Sequence, residues 1–145
     1  MRTKEFIGKL DHERIVGAIK AAEAKTSGQI RVYVQRGELA GDPVLAAEAK
    51  FQELGMQATK ERNGVLICVL PRARKFAVIG DEGVHQKCGA EFWQRLVERM
   101  RVHFQNEEFT DALFEAIQET GGLLARHFPK KAAGPNELPD EIIEG

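Results

Sequence analysis

The sequence is poor in groups that do covalent chemistry. Ser27 is its only serine, and it lacks a G-x-S-x-G context. Cysteine occurs twice, at Cys68 and Cys88, too far apart for a CxxC pair. Two separated thiols give no disulfide framework and suit a reducing compartment. No P-loop or dinucleotide fingerprint is present; Gly80-x-x-Gly83 is too short and follows a strand that a tight turn makes antiparallel. The longest strongly apolar run is about seven residues, against the roughly 20 that span a bilayer, so membrane insertion is not expected. Met1-Arg2-Thr3-Lys4-Glu5-Phe6 leads into no apolar stretch of the kind a secretory leader needs. The expected compartment is the cytoplasm. Net charge is −1, which removes the electrostatic case for nucleic acid or an anionic lipid surface.

What is present fits an ordinary globular protein. The 145 residues are 43% hydrophobic and 30% charged. That length suits one domain with a sizeable core. The expected domain covers residues 1–129. Residues 130–145 read as a disordered tail, with Gly134-Pro135-Asn136, Leu138-Pro139-Asp140 and little to bury beyond Ile142-Ile143. No internal repeat is visible.

The chain is organised around Asn63 to Gly83. Two apolar runs, Val65 to Leu70 and Phe76 to Ile79, flank the turn Pro71-Arg72-Ala73-Arg74. A connection that short makes them an antiparallel hairpin. Their continuous aliphatic character predicts burial on both faces, and hence helices on both sides. Upstream, Asp11 is a helix cap, and Ile15, Ile19 and Ala22 repeat at helical spacing. Gln29 to Gln35 alternates, with Ile30, Val32 and Val34 on one face; that predicts a half-exposed strand. Asp42-Pro43 starts a helix to about Leu54, and Gly55 stops it. Helical pattern returns after Gly83 and again from Asn106 to Phe128. The order α-α-β-α-β-β-α-α implies a three-layer α/β/α sandwich around a small mixed sheet with a central antiparallel hairpin.

Several segments resemble the TPM domain family, that of the thylakoid lumen phosphatase-like proteins, the Psb-type repair proteins and their bacterial relatives. They are Lys25-Thr26-Ser27-Gly28-Gln29-Ile30-Arg31-Val32, Ala47-x-x-x-Phe51-x-x-Leu54-Gly55, Arg62-Asn63-Gly64-Val65-Leu66-Ile67 and Ala77-Val78-Ile79-Gly80-Asp81-Glu82-Gly83. Phe104 to Phe109 with Ala112-Leu113 extends the likeness, which covers about residues 12–128. The resemblance implies an α/β/α sandwich. It also implies a family in which acid-phosphatase activity, calcium binding, photosystem repair or receptor modulation belongs to different members. No single reaction unites them, so the site must be argued from its own residues. The chain is expected to depart from many members in lacking a leader and a membrane-spanning segment after the domain.

With the first two strands parallel and the third antiparallel, Gly80-Asp81-Glu82 lies at the edge where the other two begin. Thr26, Asn63 and Glu23 are expected there too. Glu23, Thr26, Asn63, Asp81 and Glu82 offer the oxygen ligands that Ca²⁺ or Mg²⁺ prefers, and flanking glycines allow close approach. The D-x-D-x-D-G ladder of an EF-hand is absent. The alternative is a polar turn with Asp81 as a helix cap. Asp81-Glu82-x-x-His85-x-x-Cys88 reads as a transition-metal patch or a plain helix face; the paired spacing of structural zinc is missing. Cys68 reads as a core residue, while Cys88 sits where a helix terminus lowers a thiol pKa. Arg72, Arg74 and Lys75, with Arg36 nearby, form an anion-binding rim or a solvated turn at the opposite end.

The expected function is therefore a partner- or ligand-binding module, with an unidentified protein partner and a divalent cation at the acidic edge. The alternative is a metal-assisted acid phosphatase acting on phosphomonoesters, because a phosphatase here needs a metal to activate water.

Overall fold

A computed structural model gives the fold and describes residues 1–37, 41–130 and 142–145. The first helix, α1, is Thr3–Gly8. Asp11 then caps α2, His12–Glu23, by accepting from the Arg14 N–H at 3.2 Å. The alternating stretch becomes β1, Gln29–Val34. Asp42 caps α3, Pro43–Glu53, through the Val44 N–H at 2.9 Å, and Gly55 leaves it with φ +70°. The central hairpin follows as β2, Gly64–Leu70, and β3, Lys75–Gly80.

The helical pattern after Gly83 is interrupted. A short helix α4, Glu82–Lys87, is separated by Cys88-Gly89 from α5, Ala90–Gln105. The helix α6, Phe109–His127, closes the domain. Most of the expected disordered tail, residues 131–141, lies outside the described residues. Its end forms the short strand β4, Ile143–Glu144.

The sheet order is β3-β2-β1-β4. β1 and β2 are parallel, with Gln29 opposite Gly64 and Val34 opposite Val69. β2 and β3 are antiparallel, from Val65 opposite Gly80 to Leu70 opposite Lys75. Ile30, Val32, Val34, Val65, Ile67 and Val69 point to a core formed with α2, α5 and α6. Tyr33, Leu66, Cys68, Leu70 and Ala77 point to the other side, where Ala47 and Phe51 of α3 and then Met56 cover them. The result is the expected three-layer sandwich.

Two strands differ from expectation in exposure. β1 is buried at all of its positions rather than half-exposed. Its polar face lies under the α3 layer, where Lys50 Nζ sits 4.6 Å from the Tyr33 ring centroid. β4 covers part of its outer edge through Tyr33 and Val34. β3, expected to be buried on both faces, ends the sheet and is partly exposed.

The helices α2 and α6 pack closely at Ala22 and Gly121. A Cβ placed on Gly121 would lie 2.5 Å from the Ala22 Cβ. Glycine inside a helix sacrifices up to about 1 kcal/mol relative to alanine, while overpacking costs roughly 1–3 kcal/mol. Gly121→Ala is therefore expected to destabilise the protein by about 1 kcal/mol in urea unfolding. A gain in stability would show that the two helices can separate freely.

His103 ties the end of α5 to the start of α6. Its ring nitrogens face Glu108, at 3.0 Å, and Glu115. Donation to Glu108, with donation to Glu115 and the charges of both, outweighs desolvation and raises its pKa above the ordinary value of 6.5. A raised folded-state pKa stabilises fully below the unfolded value and loses its effect as pH rises through the folded one. His103→Gln is expected to lower stability at about pH 5.5 and to match the wild type more closely at about pH 9. Urea unfolding at the two pH values checks this; a constant difference would refute the assignment.

Candidate functional site

The strand directions gather one end of the sheet into a corner. β1 and β2 begin there at Gln29 and Gly64, and β3 finishes there at Gly80. Asp81 follows at once and is only 7% exposed. Arg62 grips its carboxylate with two parallel bonds, Nε to Oδ2 at 2.9 Å and Nη2 to Oδ1 at 3.0 Å. Such a fork is the strong form of a charged hydrogen bond. Asp81 Oδ1 also accepts the Glu82 N–H at 2.7 Å, capping α4. Of the two readings left open by the sequence, the helix cap is the one seen, and the grip of Arg62 falls on the same side chain.

The Arg62 guanidinium is half in solvent. Hydrogen bonding to Asp81, then Asp81's charge, raises its pKa. Its backbone is left-handed, with φ 52°, which is unusual for a long side chain. That turn aims the Arg62 carbonyl at the Gly83 N–H, 2.8 Å away. A Cβ on Gly83 would lie 2.2 Å from the Glu61 carbonyl oxygen, so this contact requires glycine. Glu82 points outward, 64% exposed, with Oε2 3.8 Å from Arg62 Nη1.

The other expected residues occupy the same edge in separate pairings. Asn63 is buried and donates from Nδ2 to Ser27 Oγ at 3.1 Å. Its N–H donates to Thr59 Oγ1 at 3.3 Å, and its carbonyl accepts the Gln29 N–H at 3.4 Å. Thr26, also buried, donates its hydroxyl to the Phe128 carbonyl and accepts the Gly28 N–H at 3.0 Å. Glu23 accepts the Ile30 N–H at 2.9 Å from the interior. Its charge acts on Arg31, whose burial lowers the guanidinium pKa while Glu23 partly restores it.

The structure therefore brings Asp81 and Glu82 together and sets Asn63 next to Arg62 in the chain. Glu23 and Thr26 are committed elsewhere. Among the described residues, no three histidine, cysteine, aspartate or glutamate side chains are grouped to hold a metal ion. Asp81 carries a guanidinium where a Ca²⁺ or Mg²⁺ ion would sit, so this arrangement does not fit a ready cation site.

Neither thiol is activated. Burial pushes Cys68 up to about 11. It also raises Cys88, opposite to the effect expected of a helix terminus. The residue that sequence reasoning missed is Arg62. It stands in the segment Arg62-Asn63-Gly64, but its reach to Asp81 depends on a left-handed turn that the sequence does not announce.

The family model for the TPM domain matches residues 2–123. No curated protein sequence matches the chain significantly. Among solved structures, the NMR structure of the BA42 protein from the psychrophilic bacterium Bizionia argentinensis is similar, with a TM-score of 0.84. It is 34% identical, and the match covers 92% of each chain.

The double duty of Asp81 can be separated by substitution. Asp81→Asn and Asp81→Ala both remove the charge that Arg62 grips, but only asparagine keeps an oxygen that can cap α4. Asp81→Ala is expected to lose about 1 kcal/mol more than Asp81→Asn in urea unfolding. Equal losses would show that the cap contributes nothing.

Proposed function

The chain belongs to the TPM domain family, and on that footing we propose that it is a binding module whose contact site is the Arg62–Asp81–Glu82 corner. The observation that carries this reading is the forked pair between a buried carboxylate and a half-exposed guanidinium. The carboxylate is fixed by its role as a cap, and the guanidinium by its two bonds to that carboxylate. Together with Glu82 they present both signs of charge on rigid backbone. That suits recognition of a protein partner or ligand carrying a complementary ionic group.

The non-catalytic reading is favoured over a metal-assisted phosphomonoesterase because Arg62 occupies the carboxylate that would hold the metal, and no described nucleophile offers a metal-free route. Ser27 Oγ is engaged by Asn63, and both thiols are buried and raised. A divalent cation enters this proposal only as a competitor: to reach Asp81 it must displace Arg62. We place the module in the cytoplasm, a setting supported by two unpaired cysteines. No helix among the described residues is long and apolar enough to cross a membrane.

The test is an amide NMR titration with Ca²⁺ and with Mg²⁺, run on the wild type, Asp81→Asn and Arg62→Ala, beside turnover assays on a phosphomonoester panel. Competition predicts that Arg62→Ala tightens cation binding, with shifts at residues 62–63 and 80–85, and that Asp81→Asn abolishes it. No turnover is expected. Turnover that disappears in Asp81→Asn would replace the binding reading with the phosphatase. No saturable shift in any variant would remove the cation from the proposal.

A further inference from the structure

The opposite end of the sheet carries a feature that the corner does not use. The parallel strands β1 and β2 both run toward it, finishing at Val34 and Leu70. Open α/β sheets take ligands outside the carboxyl ends of their parallel strands. A groove of about 760 Å³ opens there, within the range of roughly 300–1,000 Å³ typical of small-molecule sites. Its apolar lining includes Leu70, Phe76, Phe104 and Phe109.

The lining rings are tilted against one another, Phe76 on Phe104 by 44° and Phe104 on Phe109 by 37°. Tilted rings leave no flat slot for an aromatic plane and suit a flexible aliphatic chain. The rim has one sign in excess: Arg74, Lys75 and Arg101 against Glu107. Arg101 is shared with Glu98 at 3.0 Å. Arg74 and Lys75 have no ion-pair partner among the described residues. Arg74 and Glu107 hold left-handed backbones, with φ 54° and 57°, which fixes two points of the rim.

An apolar lining beside two unpaired cations matches one ligand chemistry. We propose that the groove binds an aliphatic carboxylate, with its chain on Phe76, Phe104 and Phe109 and its head at Arg74 and Lys75. The volume favours a small molecule over a protein segment. The site is independent of the Asp81 corner, because it lies at the other end of the same strands.

The test uses the full ¹⁵N-labelled chain with sodium decanoate as probe. Decyltrimethylammonium supplies the same chain with the opposite charge, and both are kept below micelle formation. Decanoate is expected to give saturable shifts at residues 74–76 and 101–109, and the cation is expected to bind much more weakly. Arg74→Glu with Lys75→Glu is expected to weaken decanoate by at least about tenfold, the effect of reversing two exposed charges. Equal binding of both probes by the wild type would overturn the assignment without reference to any variant. Absence of saturable decanoate shifts, or shifts confined to residues 62–63 and 80–85, would overturn it as well.

Discussion

From Gly64 to Leu70 β2 presents no side chain to water, so both of its faces must be covered. α3 lies over one face and α2, α5 and α6 over the other. Parallel pairing with β1 then demands a crossover, which α3 supplies between the two strands. Antiparallel pairing with β3 needs only the turn at Pro71 to Arg74. These conditions decide which residues meet at each end. Starts of β1 and β2 join the finish of β3 at one end, and the hairpin turn joins the finish of β1 at the other.

At the first end, burial creates its own requirements. A carboxylate as enclosed as Asp81 is costly unless it is paired and hydrogen-bonded. Arg62 and the Glu82 N–H meet that need, and both come from backbone that glycine brings close: Gly83 admits the Glu61 and Arg62 carbonyls. The Arg62–Asp81 pair is thus first a structural device joining the loop before β2 to the exit of β3. Its functional reading rests on the half of the guanidinium that remains in water. A partner can engage that half without the carboxylate losing its cap.

The long-period features were legible in the sequence. Asp11 and Asp42 cap as their types dictate, and the apolar runs around Pro71 to Arg74 specify the hairpin and the covering layers. The likeness of ordered segments such as Arg62-Asn63-Gly64 to the TPM domain agrees with the family match over residues 2–123. Exposure was less legible, because it depends on neighbours. Arg31 alternates as a solvent-facing residue should, yet the sandwich encloses it, with Glu23 acting on its charge. The break at Cys88-Gly89 was also hidden, since the apolar repeat continues across it. At the corner, strand direction placed Asp81, Glu82 and Asn63 correctly on one edge. It could not reveal that Arg62 fills the carboxylate, because local turn geometry decides that contact.

The two ends of the sheet are far enough apart to act separately. A strand of six or seven residues spans roughly 20 Å, about twice the distance over which charges feel each other at physiological salt. The basic rim around Arg74 and Lys75 therefore does little to the charge balance at Asp81. A net charge of −1 gives no sign of this basic rim, because a whole-chain sum carries no positions. Composition removed the case for a uniformly basic or acidic surface. Topology then restored local electrostatic character, by carrying one strand's finish to the start of its neighbours and the turn's arginines to the far side. The doubly covered strand between them holds the two ends at a fixed separation.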